Sequence, residues 1–308
     1  MDITILATKM IELFLMMFLG YIIFKLKVID DHFVKKFSRL ILDVTMPAMI
    51  LSSVLNLTER QALGDVLTAF AVSSILFFIL LPVIGLMLAK LFRVKKNQVG
   101  LYTYMNTYSN VGFMGFPVIA AIAGAVGTFY TAIFNLIFNL SIFSLGVWLM
   151  NKDQNNKSKF DPKLLCTPGI IVAALSIVVY FLNIKPPAMI CDTVEAVGSI
   201  TSPSAMLIIG CTLAKMDVKS IFGDWRLYPW AIIKQLIIPL LLWIPFTLVI
   251  KNELLLIITY ILTAMPVANS AVLFANTYGG DHELAARAIF ISTLISLITV
   301  PLCVMIVL

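Results

Sequence analysis

Residues 104–117 read YMNTYSNVGFMGFP, and residues 263–271 read TAMPVANSA. Each lies inside a long apolar run, and neither is material for a continuous helix. In the first, Gly112, Gly115 and Pro117 fall within six residues, and glycine and proline are the poorest residues for a helix interior. In the second, Pro266 is followed by Asn269 and Ser270. Proline within a membrane helix frees backbone groups that neighbouring protein or trapped water must satisfy. Two such interruptions predict paired half-helices whose N-terminal ends point into the bilayer centre. Unpaired N–H groups at those ends can hold an anion without a basic side chain. The small residues Ala264, Ala268 and Ala271 would let two broken helices cross closely.

The rest of the chain fixes the solvent. Of 308 residues, 61% are hydrophobic and 12% charged, and the mean hydropathy is +1.02. A soluble domain carries about 25% charged residues, so this chain could not cover itself in water. Runs of this length exclude a membrane β-barrel, whose strands alternate at period two. At about 20 residues per helical span, the apolar runs give ten: 4–24, 37–57, 66–89, 98–123, 126–150, 164–183, 193–214, 228–250, 254–276 and 283–307. The expected fold is an all-α polytopic membrane protein of ten transmembrane helices, with the fourth and ninth broken and crossed. The first run has no basic residues before it and no cleavage site after it, so it is expected to be a retained span.

The net charge of +6 in a lipid-solvated chain marks cytoplasmic loops, not a nucleic-acid surface. Seventeen basic residues fall on one alternate set of loops. Four (Lys9, Arg60, Lys185 and Lys251) fall on the other, and Lys234 lies within a span. That bias predicts a plasma (inner) membrane protein with both termini outside and basic loops in the cytoplasm. Cys166, Cys191, Cys211 and Cys303 are scattered, so neither a disulfide framework nor a metal site is expected. No phosphate-binding Gly-rich loop is present, so neither ATP nor another cofactor is expected.

Landmarks recur at one spacing. Pro47 and Pro203 are 156 residues apart, each within T-x-P. Pro82 and Pro239 are 157 apart, and Asn110 and Pro266 are 156 apart. This predicts two related halves, 1–150 and 164–308, joined by the polar linker 151–163. Five spans in each half make the second run opposite to the first, and such inverted repeats are a hallmark of secondary transporters.

The stretch SNVGFMGFP from Ser109, the run PAMILSSVL from Pro47 and MPVANSAVLFANTYGGD from Met265 resemble the auxin efflux carrier family of bacterial permeases and plant PIN-type exporters. The runs SPSAMLIIGCTLA from Ser202 and ISTLISLITVPL from Ile291 are similar to it too. The resemblance implies a ten-helix crossover fold related to bile-acid symporters and NhaA-type antiporters. It implies a scaffold of helices 1, 2, 6 and 7 and a mobile transport domain of helices 3–5 and 8–10. Substrate would bind beside the helix 4/9 crossing and move by an elevator step, in a homodimer. Asn110 matches the family's crossover asparagine, which contacts a substrate carboxylate, and Pro266 its ninth-helix proline. Ser109 stands where plant exporters have proline, which would leave the first break to Gly112. Cys166-Thr167-Pro168-Gly169 replaces Asn-Pro-Asn, removing a substrate-facing amide and arguing against auxin.

The expected function is secondary active transport of a small organic anion, a carboxylate, and not enzymatic catalysis. Candidate substrate-binding residues are Ser109, Asn110, Gly112, Gly115, Pro266, Asn269 and Ser270, with Asn135 and Asn139 one turn apart on the fifth span. Pro117, Pro47 and Pro203 are candidate hinges. Asp43 lies roughly 9 Å below the cytoplasmic boundary at 1.5 Å per residue. It is a candidate for coupling to protons or sodium, with a surface ion pair to Arg39 as the alternative. Ser292, Ser296 and Thr299 read as packing on the tenth span, Lys9 and Glu12 as a snorkelling pair, and Lys234 as a lysine reaching the cytoplasm. A sodium-coupled symporter of the bile-acid type is the first alternative. An intramembrane aspartyl hydrolase using Asp43 and Asp281 is the second, and it requires the two carboxylates to share a site.

Overall fold

A computed structural model describes residues 3–57, 61–153, 167–215, 224–278 and 280–307, and among them the chain is helical with no strand. The linker 154–163, Cys166 and Gly279 lie outside the described residues, as does the side chain of Lys9. Among the described residues six helices are long and apolar enough to cross a membrane: α2 (Asp31–Leu55), α3 (Leu63–Leu91), α5 (Val111–Asn151), α7 (Ala188–Lys215), α8 (Leu227–Val249) and α11, from His282. Between them run α1 (Ile3–Lys25), α4 (Val99–Thr107), α6 (Pro168–Leu182), α9 (Glu253–Ala264) and α10 (Ser270–Tyr278). Within α5 the chain turns at Gly124, whose φ of 55° combined with ψ of −142° is a conformation essentially confined to glycine.

Proline accounts for four of the five wide turns among the described residues; the fifth, Ile142–Gly146, has no proline two residues after it. Wide five-residue turns occupy Ile41–Thr45, Leu76–Leu80, Val111–Gly115 and Ile233–Ile237. Each ends two residues before a proline: Pro47, Pro82, Pro117 and Pro239. In every case the carbonyl that the proline ring would strike, four residues back, is at the centre of the wide turn. Widening the helix there removes the clash. The orphaned carbonyls find other donors. The Ser141 hydroxyl donates to Phe77 O at 3.1 Å, and the Cys303 thiol donates to Gln235 O at 3.3 Å.

Two sets of helix pairings can be traced, joined by the contact of α2 with α5. In one, α1 lies on the second half of α7, the first half of α7 lies on α2, and α2 lies on α6. A Cβ at Gly210 would sit 1.8 Å from Met17 O, and one at Gly20 would sit 2.1 Å from Leu207 O, so α1 and α7 touch backbone to backbone. In the other group α3 packs on α4, α9 on α8, and α11 on both α8 and α10. The outward faces carry exposed Phe18, Leu241, Ile244, Leu248 and Ile298, as a lipid-facing surface requires. The core between the helices holds buried Tyr104, Tyr108, Tyr130, Trp230 and Tyr260. The chain is a multi-pass membrane protein.

Candidate functional site

The two interruptions meet. α4 ends at Thr107 and α5 begins at Val111; α9 ends at Ala264 and α10 begins at Ser270. The short extended segments between them pair antiparallel through Ser109 and Val267. The Asn110 N–H donates to Pro266 O at 2.7 Å, and the Ala268 N–H donates to Tyr108 O at 3.0 Å. Each break thereby satisfies backbone groups of the other, which is what unwound chain inside an apolar body needs.

Asn110 organises the first break. Its carboxamide oxygen accepts from the Phe113 N–H at 3.1 Å, and its carbonyl accepts from the Gly115 N–H at 2.9 Å. The carboxamide is thus the N-cap of α5. The break lies at Tyr108–Asn110, ahead of Gly112. Gly115 therefore serves close approach, not chain reversal, since a Cβ there would lie 2.9 Å from Leu262 Cδ2, whereas one at Gly112 would make only an ordinary contact at 3.5 Å with Met46 Cε. Pro117 stands in the first turns of α5, and Pro47 follows Met46 at the wide turn of α2. α7, which carries Pro203, packs on the same turn of α5. At the second break the Ser270 hydroxyl accepts from Tyr104 OH at 3.1 Å, while Asn269 is half-buried beside it.

The residue that sequence reasoning misplaced is Lys234. It is 1% exposed, and its Nζ donates to Ser109 Oγ at 2.8 Å and to Met265 O at 2.8 Å. It does not snorkel, because both interrupted segments present acceptors to it inside the protein. A basic side chain therefore stands at the meeting of the breaks, where backbone dipoles alone were expected. Beside it, buried Gln235 donates to Ser292 O at 2.7 Å and accepts from the Thr299 hydroxyl. Ser292 Oγ in turn accepts from the Val267 N–H at 3.2 Å. The polar stripe of α11 is thus a brace for the second break. The wide turn at Ile233–Ile237 is the signal that brings Lys234 and Gln235 to that face, and it is set by Pro239.

Other sequence candidates hydrogen-bond to partners outside the two breaks. Asn135 is buried, and its carbonyl accepts from Asn139 Nδ2 at 2.7 Å, a bond within one helix. Asp43 accepts from Arg39 Nε at 3.0 Å on an exposed face. Asp281 accepts from Gln98 Nε2 at 2.8 Å and caps α11 through the Leu284 N–H at 2.9 Å. Asp43 and Asp281 thus serve separate partners, and nothing draws them into a hydrolytic pair. Among the described residues no cluster of His, Cys, Asp and Glu could hold a metal ion.

Comparison with known proteins places the chain among transporters. The chain is 22% identical to an uncharacterized transporter of Methanocaldococcus jannaschii over 301 residues, 94% of each chain. It is 24% identical to a candidate malonate transporter of Rhizobium meliloti over 304 residues, 92% of this chain and 90% of that one. It is 22% identical to the uncharacterized transporter YfdV of Escherichia coli K12 over 302 residues, 95% of each. The family model described as "Membrane transport protein" matches residues 5–162 and 157–304. The chain is a transporter and not an enzyme, and it belongs to the membrane transport protein family, that of the auxin efflux carriers.

Proposed function

We propose that this protein is a secondary active transporter that moves a small organic anion, a carboxylate, by an elevator-type alternating-access step. The substrate binds at the meeting of the two interrupted segments, which we take to be the crossing of the fourth and ninth of ten spans. The observation that carries the reading is the antiparallel pairing at Ser109 and Val267. It brings together two helix N-termini, the Asn110 carboxamide and the buried Lys234 side chain, which offsets the C-terminal ends of α4 and α9, so that an anion would meet hydrogen-bond donors away from water, where charge acts most strongly. Asn269 and Ser270 complete the polar lining, and Asn135 and Asn139 line the approach to it.

Several features support a five-plus-five inverted repeat. The wide turns starting at Leu76 and Ile233 are 157 residues apart, like the prolines that follow them. The pairs Asn135/Ser292 and Asn139/Ser296 are also 157 apart. An antiparallel bridge between residues about one repeat apart is what a pseudo-two-fold axis through the two breaks would generate. On this reading α1, α2, α6 and α7 are the scaffold, the remaining helices move, the basic loops are cytoplasmic and two copies form a homodimer in the inner membrane.

The malonate named for one relative makes short dicarboxylates the first compounds to try. A thermal-shift screen of mono- and dicarboxylates against purified protein should yield stabilising ligands, and Asn110→Ala should abolish the stabilisation. Those ligands should undergo counterflow in proteoliposomes. A protein that neither binds nor exchanges any small carboxylate would refute the proposal.

A further inference from the structure

The ammonium of Lys234 has an unusual set of partners for a buried cation. Its two acceptors are neutral, a serine hydroxyl from one break and a main-chain carbonyl from the other. Among the described residues no carboxylate lies within ion-pair distance of it, although ion pairs occur elsewhere at the surface. Met265 O follows directly on the last turn of α9, whose C-cap is Met265, and the C-terminal end of a helix favours a cation. The second acceptor, Ser109, lies in the unwound segment following α4. Hydroxyl and unwound carbonyl oxygens at the ends of broken half-helices are also the ligands with which transporters of this architecture hold a coupling cation such as sodium. The oxygens are hard donors suited to such an ion.

We infer that Lys234 supplies from within the chain the monovalent cation that would otherwise have to bind between the two breaks, so that the carrier's fold and substrate site need no sodium. The inference rests on the proposed site at the breaks and adds to it the identity of the charge that holds them together. A tethered ammonium does what a bound ion does: it joins Ser109 to Met265 and sets a positive charge beside the anion's position. Being covalently attached, it cannot be released with each cycle, so it removes sodium from the transport stoichiometry. The opposite half carries no counterpart. The residue 157 positions before Lys234 is Phe77, which is buried, so the charge belongs to one half alone.

The test uses the full-length protein and needs no substrate. Thermal unfolding is followed in sodium chloride and in choline chloride for the wild type, Lys234→Ala and Lys234→Met. The wild type should unfold at the same temperature in both salts. Lys234→Ala should be less stable in choline and should regain about 5 °C in saturating sodium, the size expected for ligand binding at many times its Kd. Lys234→Met, which fills the space with an apolar chain, should be insensitive to the salt. Sodium stabilisation of the wild type would overturn the inference. So would a Lys234→Ala protein that sodium does not stabilise, or one that cannot be recovered folded in either salt, since no external ion would then replace the side chain. Because no carboxylate enters the measurement, any of these three failures leaves the transport reading to be judged on its own binding data.

Discussion

Asn110 has two tasks at one position. Its carboxamide oxygen caps α5 through Phe113, and on the proposed reading its amide donor contacts a ligand oxygen. The two tasks separate by substitution. Asn110→Asp keeps the cap, because aspartate is as good an N-cap as asparagine, but it sets a carboxylate against an anion. Its unfolding temperature should stay close to that of the wild type, while carboxylate-induced stabilisation disappears. Asn110→Ala should lose the binding and also about 1 kcal/mol of stability with the cap. Undiminished binding by Asn110→Asp would show that the residue is a cap and nothing more. Asn110 is legible in the sequence because it lies among the residues that interrupt its own span. Lys234 is not, because a lone lysine one to two turns inside an apolar run can either snorkel or be buried. What decides is whether acceptors face it, and those acceptors sit at Ser109 and Met265, 125 and 31 residues away. Gln235 is illegible for the same reason, since its partners Ser292 and Thr299 come from α11.

At the scale of elements, the two interruptions are legible because proline and glycine act on the chain that contains them. The position of a break is less so. Gly112 draws attention, yet the chain unwinds at Tyr108–Asn110, where a cap and an extended partner segment are both available. Helix pairing leaves a fainter trace still. Gly20 and Gly210 look like any glycines in apolar runs, but α1 and α7 approach so closely there that an added methyl at Gly210 would lie 1.8 Å from Met17 O and 2.7 Å from the Tyr21 nitrogen. Those atoms are backbone and cannot turn aside. Gly210→Ala must therefore push two helices apart, which should cost about 3 kcal/mol, at the upper end for overpacking. Gly64→Ala is the control, since nothing lies within 4 Å of its added Cβ, and it should be neutral or slightly stabilising. Thermal unfolding of the two variants side by side checks the contrast. Equal effects would mean that α1 and α7 are not in backbone contact.

The whole molecule raises the question of what moves. A single rigid body could bind an anion but could not carry it across. Alternating access needs a surface along which one group of helices slides on the other, and the packing suggests where it runs. α2 and α7 meet the first turns of α5, with Met46 Cε 3.5 Å from the place a Gly112 side chain would begin. If the elevator reading holds, this contact must open and re-form in each cycle, whereas contacts within the group of α1, α2, α6 and α7 persist. In a background with the native cysteines replaced, Met46→Cys and Gly112→Cys can be joined by a short bismaleimide. Uptake should then fall in proportion to the linked fraction. Leu42→Cys and Gly169→Cys join α2 to α6 at a similar approach, Leu42 O lying 3.9 Å from the Gly169 Cβ position, and linking them should leave uptake unchanged. Inhibition by both links would mean that the cross-linker itself disables the protein. Uptake that survives full linkage of residues 46 and 112 would require the substrate to pass a fixed interface, and the motion would then have to be confined to the half-helices around Asn110 and Pro266.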